Sequence, residues 1–216
     1  MNDLVFLEPN KIDSEPFTTS DIIAECAQVQ HHAIQQLISR YESDLKEFGG
    51  LAFEMRTVKT NLTKVYHLNE PQATLILTFL KNTPPVREFK KNLVRQFYAM
   101  RNELLRRQVE RTTLKPIRRE MTDAIQEYDN GKWSYKKYTD LVYKSALGKT
   151  AVQLRKERGA PKTAKAMDYL TADELAAIAK GTYQVSVLLE KTQDYELVKA
   201  LMLSKTAPAL QTNVPQ

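Results

Sequence analysis

Between Phe17 and Asn69 the hydrophobic period changes twice, and that succession constrains the fold more than any other feature of the chain. The stretch "FTTSDIIAECAQVQHHAIQQLISRY" reads as two short helices about a tight turn. Thr19 or Ser20 is placed to cap the first helix, because a short polar side chain can meet the free N–H groups of a first turn. Ile22, Ile23 and Cys26 give this helix an apolar face that ends at Ala27, and "QVQ" makes the turn. Ile34, Leu37, Ile38, Tyr41 and Leu45 then recur at spacings of three and four, which predicts one buried stripe on a second helix, with Leu37 between the pair. "FGG" ends that helix. The next segment, "LAFEMRTVKTNLTKVYHLN", is rich in Thr, Val, Phe and Tyr in rough alternation about a polar centre, which predicts two strands with a hairpin tip near Asn61. Helix, turn, helix and hairpin is the order of a winged helix.

Beyond the hairpin the pattern is helical. Asn69 caps a helix that tolerates Pro71 in its first turn, and "ATLILTFL" is apolar enough to be core. "KNTPP" breaks it. One long helix is expected over 86–110, where Val86, Leu93 and Met100 recur at sevens, as do Phe97 and Leu104. Arg87, Lys91 and Arg95 fall on its opposite side, so the helix has an apolar seam and a basic back. The seam serves either intramolecular packing or a homodimer. "TTLKP" predicts a break. Further helices follow over 117–128 and 135–147, in the basic stretch ending at Gly159, from the capping box "TADE" to about Leu189, and over "DYELVKALML". The fold class expected is mainly α with a small β-hairpin. Residues 1–113 form an N-terminal winged-helix-like domain with the long helix, 114–204 a helical C-terminal domain, and 205–216 a disordered tail.

Charge is unevenly placed. Residues 1–80 carry 6 basic and 11 acidic side chains, a balance of −5. Residues 81–120 carry 12 and 4, a balance of +8, and the remaining 96 residues carry 14 and 11. The basic middle predicts a polyanionic partner, of which nucleic acid is the usual one. The helix-turn-helix outline, by contrast, lies in the acidic third. No apolar run approaches the roughly 18 residues that span a bilayer, and "MNDLVFLEPN" lacks the basic and apolar regions of a signal peptide. A lone cysteine, Cys26, excludes an internal disulfide, fits a cytoplasmic address, and is expected in the core.

Catalytic chemistry finds little support. Three histidines and one cysteine offer no zinc spacing, and there is neither a P-loop glycine pattern nor a nucleophile elbow. The carboxylates do not cluster as a two-metal nuclease requires. No enzyme activity, cofactor, metal or small-molecule substrate is expected. Trp133, Tyr135, Tyr138 and Tyr143 alternate with Lys132, Lys136, Lys137 and Lys144. Such interleaving can stack the bases of a single strand, although at helical spacing it reads first as a small core with a basic rim.

Two segments, "PFTTSDIIAECAQVQHHAIQQLI" and "NEPQATLILTFLKNTPPVREFKKNLVRQFYAMRNEL", resemble the phage regulatory protein Rha family over about Phe17 to Leu105. In the second, an apolar helix, an Asn-Thr break and a "V-x-x-F-K-x-x-L-V-x-x-F" helix carry the likeness. The segments from "MTDAIQEY" to "YLTADEL" are similar, more loosely, to C-terminal regions of phage regulators. The resemblance implies a phage or prophage regulator in a bacterial cytoplasm, with a winged-helix-like, DNA-binding N-terminal domain. His31 or His32 falls at the family's histidine; where the family often has a basic residue before it, this chain has "QVQ".

On this reading the partner is double-stranded DNA. Gln35 and Gln36 would pair with adenine edges in the major groove, while His31, His32 and Arg40 lie on the same helix, His32 and Arg40 within reach of phosphate. Arg56, Lys59 and Lys64 on the hairpin and Arg87, Lys91 and Arg95 on the long helix would add backbone contacts. The alternative is an antirepressor-like regulator that works by binding another protein, which takes the acidic N-terminal third at face value.

Overall fold

A computed structural model describes residues 3–7, 15–58, 61–129 and 131–204. The chain divides into two compact units, Met1–Asn102 and Glu103–Gln216. In the first unit a short strand β1 (Phe17–Thr19) leads into α1 (Ser20–Ala27), α2 (His31–Arg40) and a single turn α3 (Glu42–Lys46). The hairpin follows as β2 (Ala52–Val58) and β3 (Asn61–Asn69), then α4 (Glu70–Thr78) and the start of α5 (Pro84–Tyr128). The strands form an antiparallel sheet in the order β1-β3-β2.

The two helices and the hairpin stand where the sequence puts them. Gln28, at φ 56°, adopts the left-handed conformation that stops α1, a conformation costly for most residues other than glycine. β1 was not expected. It is three residues long, too short to show an alternation, and it pairs with β3 through Thr18↔Leu68. Thr19 stands at the cap position of α1, but its side chain accepts no backbone N–H; its hydroxyl instead donates to Asp21.

The expected stripe of α2 needs correcting at two positions. Ile34, Ile38 and Leu45 are fully buried, but Leu37 is only half-buried. Tyr41 ends α2 rather than continuing it, and its ring stacks on Phe79. Cys26 is likewise half-buried rather than core. It packs at the margin of a cluster built on Ile23, Ile34, Ile38, Leu68, Ile76 and Phe97. Asn69 caps α4 through a capping box with Gln72, and the Gln72 amide also donates to the Leu45 and Gly49 carbonyls, fastening the loop before β2. Lys59 and the tail after Ser204 lie outside the described residues.

The break predicted at "TTLKP" is absent: α5 runs unbroken through Pro116. A proline inside a helix lacks one N–H and crowds the preceding turn, at a cost of about 3 kcal/mol. Packing offsets it. Leu114, Ile117, Met121, Ala124 and Ile125 continue at helical spacing on both sides of the proline, and all five lie in or against the core of the second unit. The two helices read as 86–110 and 117–128 are therefore one.

In the second unit α5 is followed by α6 (Ser134–Leu147), α7 (Ala151–Glu157), α8 (Ala172–Leu189) and α9 (Tyr195–Ser204). Capping boxes open α7 at Thr150 and α8 at Thr171, and Gly148 and Gly159 follow α6 and α7 with positive φ, as helix-stopping glycines do. Gly181 lets α8 approach α6: a Cβ there would lie 3.3 Å from the Val142 side chain. Asp129 ties the start of α6, accepting from Ser134 at 2.9 Å and pairing with Lys137 at 2.6 Å. Among the described residues no helix is long and apolar enough to cross a membrane.

Candidate nucleic-acid interface

Two faces of α2 do different work. Ile34 and Ile38 face the core, while His32, Gln36, Ser39 and Arg40 are exposed. Positions 32, 36, 39 and 40 are four, three and one apart, so they form a single outward stripe. Within it the Gln36 amide contacts His32 Nε2 at 3.0 Å. Arg40 takes part in no ion pair among the described residues.

Gln35 and His31 are occupied elsewhere. β1 ends at Thr19, so beyond it β3 has no strand on that side. Two side chains take the place of one. Ser20 Oγ accepts the Tyr66 N–H at 3.0 Å, and the Gln35 amide donates to the Lys64 carbonyl at 2.7 Å. Ser20 Oγ also lies 2.8 Å from His31 Nε2. The donor in that hydrogen bond follows the histidine tautomer, since the hydroxyl can give its proton to Nε2 or accept an Nε2–H. These three residues clamp the helix pair to the hairpin; sequence spacing cannot reveal contacts made across |i−j| of 46 and 29.

Burial holds the His31 imidazole below its ordinary pKa; Asp21 opposes this and Arg56 adds to it. The folded unit then binds fewer protons here than the unfolded chain does. The contribution to stability is fully present above the unfolded value of about 6.5 and is lost as pH falls through the folded pKa. Thermal melts of the full chain between about pH 7.5 and 5 should therefore fall more steeply for wild type than for His31→Asn. Parallel slopes would remove His31 as a linked group.

The hairpin has less free charge than its sequence implies. Arg56 pairs with Asp21 at 2.7 Å and with Glu54, and holds the Glu54 carboxyl below the usual range, chiefly through that hydrogen bond. Lys64 lies over the rings of Phe53 and Tyr66, at 3.9 and 4.5 Å from their centroids. Around it Phe53, Met55 and Leu62 are exposed apolar side chains.

On α5 the basic back is present. Arg87, Lys91 and Arg95 are exposed, with Lys91 paired to Glu88 and Arg95 bonded to Asn92. The opposite seam is internal: Val86, Leu93 and Phe97 are buried in the first unit's core and Met100 packs against it. Much of the remaining positive charge of 81–120 is neutralised within the chain. Arg101 meets Glu70, Arg106 meets Asp173, Arg107 meets Glu103 and Arg111 meets Asp168. The aromatic-lysine series also divides. Tyr138 and Tyr143 are buried, and Trp133 and Tyr135 exposed, so the four rings do not share one stacking surface.

No curated protein matches the chain. Residues 18–102 match the family model described as phage regulatory protein Rha. That span takes in the helix pair, the hairpin, α4 and the first turns of α5, so it is this N-terminal portion of the chain that is similar to the Rha family of phage regulatory proteins.

Proposed function

We propose that this phage-type regulator binds double-stranded DNA and controls transcription, with α2 lying in the major groove. The observation that carries the reading is the outward stripe of His32, Gln36, Ser39 and Arg40 on a helix held by Ile34 and Ile38 and followed by a hairpin. Gln36 has the donor and acceptor that adenine N6 and N7 require. Arg40 and His32 flank it and supply phosphate contacts, which set register rather than sequence. The acidic balance of the N-terminal third is no obstacle locally, since Asp21 and Glu42 are each paired with a basic side chain. Arg87, Lys91 and Arg95 serve as further phosphate contacts.

Salt tests it. Each neutralised phosphate adds about 0.9 to the slope of log affinity against log salt. With host DNA fragments recovered by crosslinking, the full chain should show a steep slope. Reversing Arg87, Lys91 and Arg95 to Glu should lower that slope by roughly 2–3. An unchanged slope would make this face of α5 a solvated one. Failure to retain any DNA at low salt would sink the reading as a whole.

The second reading, regulation by binding another protein, is favoured by one feature. The hairpin carries exposed Phe53, Met55 and Leu62, while Arg56 is engaged by carboxylates and Lys64 by aromatic rings. A surface of that kind suits protein better than phosphate. Recovery of one host or phage protein with no DNA in the same crosslinking experiment would favour it.

A further inference from the structure

We propose that β2 is a homodimerisation edge, pairing antiparallel with β2 of a second copy of this chain about a two-fold axis through Met55. β2 is the outer strand of the sheet, and its side chains from Ala52 to Thr57 are all exposed. Proteins usually blunt such an edge with proline, lysine or a bulge. "AFEMRTV" has neither residue, and its register with β3 is continuous from Ala52↔His67 to Val58↔Asn61.

The direction of the backbone groups follows from β3. The Tyr66 N–H goes to Ser20 and the Lys64 carbonyl receives Gln35, so both residues turn their polar groups away from β2. Their partners Phe53 and Met55 therefore form the non-hydrogen-bonded pairs of the ladder, and with Thr57 they turn N–H and C=O outward. Among the described residues nothing bonds these outward groups.

A second β2 can use them only in registers that set odd positions against odd. A two-fold at Glu54 places Glu54 against Glu54 of the other copy, and one at Arg56 opposes two arginines. Like charges directly across a strand pair are destabilising. A two-fold at Met55 sets each Glu54 opposite the other copy's Arg56, twice over, which is the self-complementarity that a two-fold interface demands. The same register lines up Phe53, Met55 and Thr57 of both copies on one face of a continuous sheet, in the order β1-β3-β2-β2-β3-β1. Phe53 and Met55, 53% and 52% exposed in the single chain, then meet apolar neighbours across the axis.

The dimer is independent of DNA binding, and sedimentation of the full chain without DNA tests it. The wild type should show a reversible monomer–dimer equilibrium. Glu54→Arg and Arg56→Glu alone should each weaken it by at least about tenfold, since each opposes like charges at both ends of the register. Mixed one to one, the two variants should recover a heterodimer, because their charges are again opposite. Met55→Pro should also abolish pairing: it removes an outward N–H, while the ladder to β3 uses the neighbouring residues. The charge variants carry the test if that proline variant does not fold. A wild type that stays monomeric at all accessible concentrations would overturn the proposal. So would a dimer that neither charge variant weakens, or two weakened variants that do not recover on mixing.

Discussion

Phe97→Ala is expected to destabilise the first unit by about 3–5 kcal/mol, the cost of losing a buried aromatic side chain and leaving a cavity. The ring is 2% exposed and lies in one cluster with Val86, Phe89 and Leu93. In a domain of this size each kcal/mol shifts the midpoint by roughly 4–8 °C, so the change in the melt should exceed about 10 °C. Leu37→Ala is the comparison. Leu37 is half-buried at the margin of the same cluster, and part of its surface is already in water, so its loss should cost clearly less. Equal costs for the two would mean that Leu37 is as central to the packing as Phe97. A melt unmoved by Phe97→Ala would mean that the apolar seam of α5 faces something other than its own unit.

That contrast also marks where sequence reasoning ran out. Ile34, Leu37 and Ile38 all fit a helical stripe, and periodicity alone cannot rank them. Their burial depends on what covers α2, and that is decided by the tertiary fold of the unit, with Ile34 and Ile38 in one cluster with Ile23, Ile76 and Phe97. Pro116 failed for a related reason. Local propensity counts the missing N–H of the proline, but the apolar spacing of Leu114, Ile117 and Met121 runs through it and packing prevails. Capping boxes fared better, because each lies wholly within four residues, whereas the single-residue cap expected at Thr19 or Ser20 is absent. The boxes at Asn69, Thr150 and Thr171 are all present.

At the candidate interface the residue types were legible and their partners were not. Arg56 reads as a free wing cation until Asp21, 35 positions earlier, is seen beside it. Lys64 reads the same way until Phe53 and Tyr66 are paired across the hairpin. The general rule is physical. Contacts of one helical turn or one hairpin step follow from spacing, whereas contacts that close the fold require the fold.

Gln35 and Gln36 are adjacent in sequence and should give opposite results on substitution. Gln36 is on the exposed stripe, so Gln36→Ala should leave the melt within about 0.5 kcal/mol of wild type, as for surface changes generally. Its effect should appear in discrimination instead. A bidentate glutamine–adenine pair is worth about 1–3 kcal/mol against the wrong base, so competition between specific and non-specific DNA should narrow by roughly 5- to 150-fold. Adding Arg40→Ala should lower affinity for both DNAs alike, because a phosphate contact carries no sequence. Gln35→Ala should behave as a structural change. It leaves the Lys64 carbonyl without the Gln35 amide, and an unsatisfied group of that kind costs about 1–3 kcal/mol when shielded from water. Stability should drop, and binding should follow stability rather than sequence. If Gln36→Ala narrows nothing while the protein still binds DNA, α2 is not the reader. If Gln35→Ala leaves the melt unchanged, its amide does not hold the hairpin to α2.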